Sequence, residues 1–323
     1  MNKLKKLNIP GILIGNIVLC ILFGIANGRF LSAYNIQLIL RNTCTLLLAA
    51  IGLTLVILIG QIDMSVGSVV SMSAVAVVTL YNAGMPVAVA IILPLLMGIV
   101  VGMINGFLIS KCKFDFWVVS FGMMSVFAGL ALVTTNGNTV AIKNDFINWV
   151  GNGKIGGVYV IVWITIVLAA LMIWVQKKTK FGYDVFALGG SQQVASVSGI
   201  KVVKTSMTVY ALSGLFSAIA GVAVACMTNS GSPSVGVDYT FNAMAAVVIG
   251  GTAFCGGKGG LVGTVLGALL MKILASGLSL MGIPSTWQKA ITGFVIVALI
   301  IADVVSEHQK TIKAQRRVYN NVG

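Results

Sequence analysis

The chain has 323 residues, 58% of them hydrophobic and 9% charged, with 38 glycines and a formal net charge of +14. That balance excludes a soluble globular domain and points to a polytopic membrane protein in which glycine lets helices approach closely. The lysines fall mostly between apolar runs and at the two ends, so the positive charge reads as membrane topology and not as a nucleic-acid surface.

The chain begins MNKLKKLNIPGILIGNIVLCILFGIANG, a basic start followed by an apolar run over 9–26. This imitates a signal peptide, but many apolar runs follow, and the segment is read as a retained first span. About twenty apolar residues cross a bilayer. By that measure spans are predicted at 9–26, 37–60, 66–82, 85–109, 117–134, 157–175, 205–227, 241–255, 261–281 and 288–305. The fold class is therefore an all-α polytopic membrane protein of about ten transmembrane helices. The third and eighth are short or rich in small residues and are expected to be broken or partial, which leaves eight or nine as alternative counts. The chain 1–323 reads as a single transmembrane domain without a soluble module.

Positive charge in short loops marks the cytoplasmic side. With the N-terminus inside, that side collects Lys3, Lys5, Lys6, Lys111, Lys113, Lys177, Lys178, Lys180, Lys201, Lys204, Lys258, Lys310, Lys313, Arg316 and Arg317. The outer side receives Arg29, Arg41, Lys143 and Lys154, so both termini are placed in the cytoplasm. The longest outer segment, 135–156, holds glycines, asparagines and Trp149, and suits either a partly ordered cap or a plain loop.

In the stretch IGQIDMSVGSVV at 59–70, Asp63 stands between two apolar spans. An ionised carboxylate at bilayer depth costs about 2.5–3.5 kcal/mol on insertion scales. Three placements would relieve that cost: a substrate or proton site, a cap on a helix in a broken segment, or an interfacial position. Ser65, Gly67 and Ser68 beside it favour interruption and capping. A second break is IGGTAFCGGKGGLVG at 249–263, which includes Thr252. Unwound backbone at depth is tolerated where it is buried or lines water. It is not a phosphate loop, because Gly259 follows Lys258 where GxxxxGK[ST] requires a hydroxyl. Asn42, Asn105, Asn136 and Asn242 are the neutral polar groups able to reach a central pathway, or equally to bond between helices.

The long polar interruption is QKKTKFGYDVFALGGSQQVASVSGIKVVK at 176–204, with five lysines and one acid, Asp184. Ser191 is placed to N-cap a short helix, Gly199 to end it as the C′ residue, and Val194, Val197 and Ile200 recur at three-residue spacing. This is an interfacial helix with one apolar stripe, or a docking element for a soluble partner. Cys20, Cys44, Cys112, Cys226 and Cys255 show no metal-ligand spacing, and His308 stands alone in the polar tail. No nucleophile, base or metal cluster emerges, so the chain reads as a non-enzyme.

The motifs resemble a known family. GQIDMSVGS at 60–68, NGFLISK at 105–111, TTNGNTV at 134–140, KFGYDVFALGGSQQVASVSGIKV at 180–202, YALSGLFSAIAG at 210–221 and AAVVIGGTAFCGGKGGLVGTVLGALL at 245–270 occur in the order of the permease subunits of ATP-binding-cassette importers for ribose, xylose, galactose and related simple sugars. The resemblance covers nearly the whole chain. It implies alternating access driven by separate ATPase subunits that bind ATP and Mg, with no cofactor in this chain. It also implies a substrate-binding protein that delivers the sugar, and a second permease that is a copy or a homologue. The location implied is the bacterial plasma membrane, with the lipid bilayer and no nucleic acid as partner. Gly189, Gly190, Ser191, Ala195 and Gly199 match the family's cytoplasmic coupling loop. The sequence departs where the family has an acidic pair after a tyrosine, reading Tyr239, Thr240, Phe241, Asn242. It departs again in the loop, reading Ser191, Gln192, Gln193. Other solutes, such as a nucleoside or a branched-chain amino acid, fit the same plan. An ion-coupled secondary transporter would need several intramembrane acids, and this sequence has only Asp63 near a span interior.

Overall fold

The computed structural model describes residues 9–291 and, beyond them, 293, 294, 297 and 301. The architecture is all-α, with only two-residue strand pairs added. Six helices are long and apolar enough to cross a membrane: α2 (Ala33–Leu58), α4 (Val87–Ser110), α5 (Phe116–Thr135), α7 (Val160–Lys178), α10 (Val202–Thr228) and α12 (Leu261–Leu280). Three shorter apolar helices accompany them: α1 (Ile9–Ala26), α3 (Val66–Asn82) and α11 (Tyr239–Ile249). The expected count of about ten spans is therefore corrected to six long apolar helices. The reason is local. α11 has 11 residues, about 16 Å of rise, too little for a bilayer core, and Gly251 at φ +80° ends it where the sequence suggested a span to 255. The tenth predicted span, 288–305, lies largely outside the described residues, as do both chain ends and hence their expected cytoplasmic placement.

α2 is the axis of the bundle, with 83% of its apolar window buried, whereas α5 has 11% buried. Close packing around that axis rests on glycine. Gly98, Gly102 and Gly106 recur every fourth residue on α4 and face α10, where a Cβ on Gly102 would stand 2.0 Å from the Tyr210 carbonyl oxygen. The small-residue stripe lets the two backbones touch, as membrane helices require when burial from water no longer drives their association.

Contacts sort the connecting segments into two ends. At one, β1 (Val140–Ala141) pairs with β4 (Ser230–Gly231), and β2 (Lys154–Ile155) pairs with β3 (Val158–Tyr159). There α6 (Asp145–Asn152) is N-capped by Asn144, whose side chain accepts from the Ile147 amide. Arg41 binds the Gly151 and Met227 carbonyls and the Asn152 side chain, and Arg41 and Lys154 both lie over the Tyr159 ring. The segment 135–156 is thus an ordered cap. At the other end lie residues 59–65, the segment 176–204 and the glycine-rich turn 250–260. Lys177, Lys178, Lys180, Lys201, Lys204 and Lys258 share that basic end.

Candidate functional site

Two structures meet at the basic end. The first is the break between α2 and α3. Gly60 at φ +75° turns the chain out of α2, and Asp63 then closes the turn. One of its oxygens accepts from the Ser65 amide at 3.0 Å and the Ser65 hydroxyl at 2.6 Å, and the other accepts from the Ser213 hydroxyl of α10 at 2.8 Å. Ser65 Oγ in turn accepts from Asn105 Nδ2 of α4 at 3.1 Å. Asp63 and Asn105 are buried, and the Asn105 oxygen and the Tyr210 hydroxyl have no hydrogen-bond partner among the described residues. Thr240 of α11 adds a second tie, accepting from the Gly67 amide and donating to the Met64 carbonyl. A short polar seam therefore links the break to α4, α10 and α11.

The second structure is the segment after α7. Thr179 caps α8 (Lys180–Gly190), which the sequence reading missed, and Ser191 ends α8 in an extended conformation. The same serine N-caps α9 (Gln192–Val197), its hydroxyl accepting from the Val194 amide at 3.3 Å. At the far end the Ile200 amide donates to the Ala195 carbonyl and the Gly199 amide to the Ser196 carbonyl. With Gly199 at φ +82°, this is a Schellman ending. Ala195 is buried, whereas Val194 and Val197 are 61% and 87% exposed.

Glycines join the two structures. A Cβ on Gly189 of α8 would stand 1.8 Å from the Leu58 carbonyl oxygen at the end of α2 and 2.5 Å from the Gly257 nitrogen. The Gly257 amide donates to that same Leu58 carbonyl at 2.9 Å, and a Cβ on Gly256 would stand 2.7 Å from the Gly60 nitrogen. Three backbones cross at van der Waals distance, and Val185 and Leu188 hold α8 down beside them. Among the described residues no three His, Cys, Asp or Glu side chains gather. The arrangement can transmit displacement from an exposed helix to the end of the most buried one.

The family described as "Branched-chain amino acid transport system / permease component" matches residues 35–300. The chain belongs to this permease family. It is 38% identical over 308 residues to the ribose import permease protein RbsC of Bacillus subtilis, covering 93% of this chain and 95% of that one. The probable ABC transporter permease protein YphD of Escherichia coli K12 is 36% identical, with 97% and 94% covered. The autoinducer 2 import system permease protein LsrC of Escherichia coli O9:H4 is 32% identical, with 90% and 85% covered. No solved structure matches the chain at a significant level. The protein is a multi-pass membrane transport subunit and not an enzyme.

Of the pathway candidates singled out from sequence, the permease brings together Asp63, Ser65 and Asn105 and leaves Asn42, Asn136, Asn242 and Thr252 apart. Asn136 is exposed and caps the end of α5 in the left-handed region at φ 49°. Asn42 is exposed on α2 and Asn242 half-buried on α11, and neither side chain hydrogen-bonds to the Asp63 seam. Thr252 is buried and accepts from the Gly260 amide at 3.1 Å, which pins the turn before α12. Gln176, passed over in the sequence, caps α12 by accepting from the Leu261 amide at 3.0 Å. Ser213, the third group on Asp63, carried one signal: a hydroxyl in the middle of a 27-residue apolar helix.

Proposed function

We propose that this chain is the membrane permease of an ATP-binding-cassette importer for a small sugar-like solute, working by alternating access in a bacterial plasma membrane. The observation that carries the reading is its likeness to a ribose import permease over 93% of its length, the segment 176–204 included. On this reading 176–204 is the cytoplasmic coupling loop, with both chain ends on the same side. α9 presents Val194 and Val197 to a groove on a separate ATPase that binds ATP and Mg, Ser191 and Gly199 hold it as one rigid turn, and Gly189 passes its displacement to α2 by rigid-body motion. Ala195 gives that turn its buried contact, and Gly190 ends α8 just before it.

Asp63, Ser65 and Asn105 then serve the helix break and the ties across the bundle, and the sugar moves along neutral polar groups between this chain and a second permease copy or homologue. A binding protein delivers it. The family's description favours one other reading, a branched-chain amino acid as cargo. The test is a gentle detergent pull-down of the tagged chain, with uptake of labelled ribose competed by unlabelled pentoses, hexoses and leucine. Recovery of a subunit bearing a GxxxxGK[ST] loop, with competition by sugars alone, supports the proposal. Competition by leucine replaces the cargo, and ATP-independent uptake by the chain alone overturns the importer.

A further inference from the structure

At the basic end, the last turns of α4, the turn after α9 and the first turns of α10 enclose an open groove of about 670 Å³. Its walls are apolar, with Met103, Ile200, Val203 and Met207 among them, and the only charged residues that line it are Lys201 and Lys204. Both lysines are exposed, and the ion pair found among the described residues, Lys289 with Asp238, involves neither. The groove also has a direction. Met103 belongs to a stripe on α4 formed by Ile92, Leu96, Val100, Met103 and Phe107, all exposed and spaced three or four residues apart on one helix face. The stripe rises about 22 Å, more than one leaflet of a hydrocarbon core about 30 Å thick. At its lower end Lys111 Nζ lies 5.2 Å from the Phe107 ring centroid.

An uncompensated cationic rim above an apolar wall of acyl-chain length is the chemistry of one kind of occupant. We infer that this groove is a binding site for an anionic phospholipid of the inner leaflet, with the phosphate held between Lys201 and Lys204 and an acyl chain laid along the α4 stripe. A soluble protein would neutralise the lysines and leave the stripe bare, whereas a phospholipid satisfies both. Basic pockets between transmembrane helices on the cytoplasmic side bind anionic headgroups in this way. Because Ser196 lies in α9 and Ile200 in the turn after it, a bound lipid would brace the end of the coupling helix. The inference goes beyond the transport reading and depends on the membrane placement of the chain, not on its substrate.

The experiment uses the full chain in nanodiscs of equal parts phosphatidylglycerol and phosphatidylethanolamine, re-extracted in mild detergent, with the retained headgroups counted by mass spectrometry. The wild type is expected to retain phosphatidylglycerol in preference to phosphatidylethanolamine. Lys201→Gln with Lys204→Gln lowers that retention by about fivefold for each lysine, the ratio given by about 1 kcal/mol per basic residue at an anionic surface. Both side chains are exposed, so the double variant folds. Lys177→Gln with Lys178→Gln, an equal charge change outside the groove, leaves retention unchanged. Equal retention of the two lipids by the wild type, or equal losses in the two double variants, overturns the site. So does a crosslink to a second copy or another protein that depends on Met207→Cys in native membranes.

Discussion

Gly189 and Gly190 are neighbours in α8, yet alanine should act on them in opposite directions. At Gly189 the added carbon would lie 1.8 Å from the Leu58 carbonyl oxygen and 2.5 Å from the Gly257 nitrogen, and at Gly190 it would meet nothing within 4 Å. Both neighbours of Gly189 are backbone, so no side chain can swing aside. α8 must lift from the end of α2, and the 2.9 Å bond from the Gly257 amide to Leu58 is strained or lost with it. Overpacking a tight site costs about 1–3 kcal/mol, and the lost bond adds about 0.5–1.5 kcal/mol. Alanine returns up to about 1 kcal/mol of helix propensity, which leaves Gly189→Ala less stable by about 1–3 kcal/mol. Gly190→Ala keeps only the propensity gain. Thermal unfolding of the two purified variants in one detergent reads the difference directly, and uptake in vesicles with the ATPase partner reads its consequence. Gly189→Ala unfolds below the wild type and transports less, while Gly190→Ala unfolds at or above it and transports normally. Equal midpoints for the pair would refute the seat of α8 on α2, and a lower midpoint with normal uptake would refute its role in coupling.

The α4–α10 contact has a similar internal control. Gly102→Ala places a carbon 2.0 Å from the Tyr210 carbonyl oxygen and should lower the unfolding midpoint by an amount that reflects about 1–3 kcal/mol. Gly122→Ala on α5, with nothing within 4 Å, should leave it unchanged or raised. Asp63→Ala strands the buried Ser65 and Ser213 hydroxyls and should cost about 2–4 kcal/mol in the same assay. Asp63→Asn keeps one acceptor for Ser65 and offers Ser213 a donor, so its cost should be about 1 kcal/mol; an asparagine variant as weak as the alanine would mean the charge matters more than the bonds. Gly199→Pro cannot adopt the φ of +82° that ends α9. It should leave the protein in the membrane while abolishing co-purification of the ATPase and uptake, and normal uptake by this variant would remove α9 from coupling.

Several features were legible because they depend on chemistry within a few residues. Ser191 as a cap and Gly199 as a left-handed terminator are local backbone demands, and both are met in α9. Asp63 stood out because a lone carboxylate among apolar spans has to be satisfied by something nearby, and Ser65 two residues on does so. The segments α1 to α5, α7 and α10 to α12 fall on the apolar runs for the same reason, since a chain in hydrocarbon must bond its own backbone. α8 was missed because FGYDVFALGG carries three glycines and no apolar period long enough to declare a helix.

By itself the sequence determined that the chain crosses a membrane, where its helices break, which loops are basic and which permease family its motifs follow, because composition, caps and glycines act over short distances. Only the tertiary structure decided which helices are full crossings and which lie inside. α2 and α5 each hold an apolar stretch long enough to cross a membrane, and their length and composition do not say that one is the axis and the other the rim. It alone chose Ser213 and Asn105 as partners in the Asp63 seam, 150 residues from Asp63 and 40 from Ser65 along the chain, and it alone laid Gly189 on Leu58 and Gly256 beside Gly60. A glycine in the sequence permits a close approach, and the partner is named only when two backbones arrive at the same place.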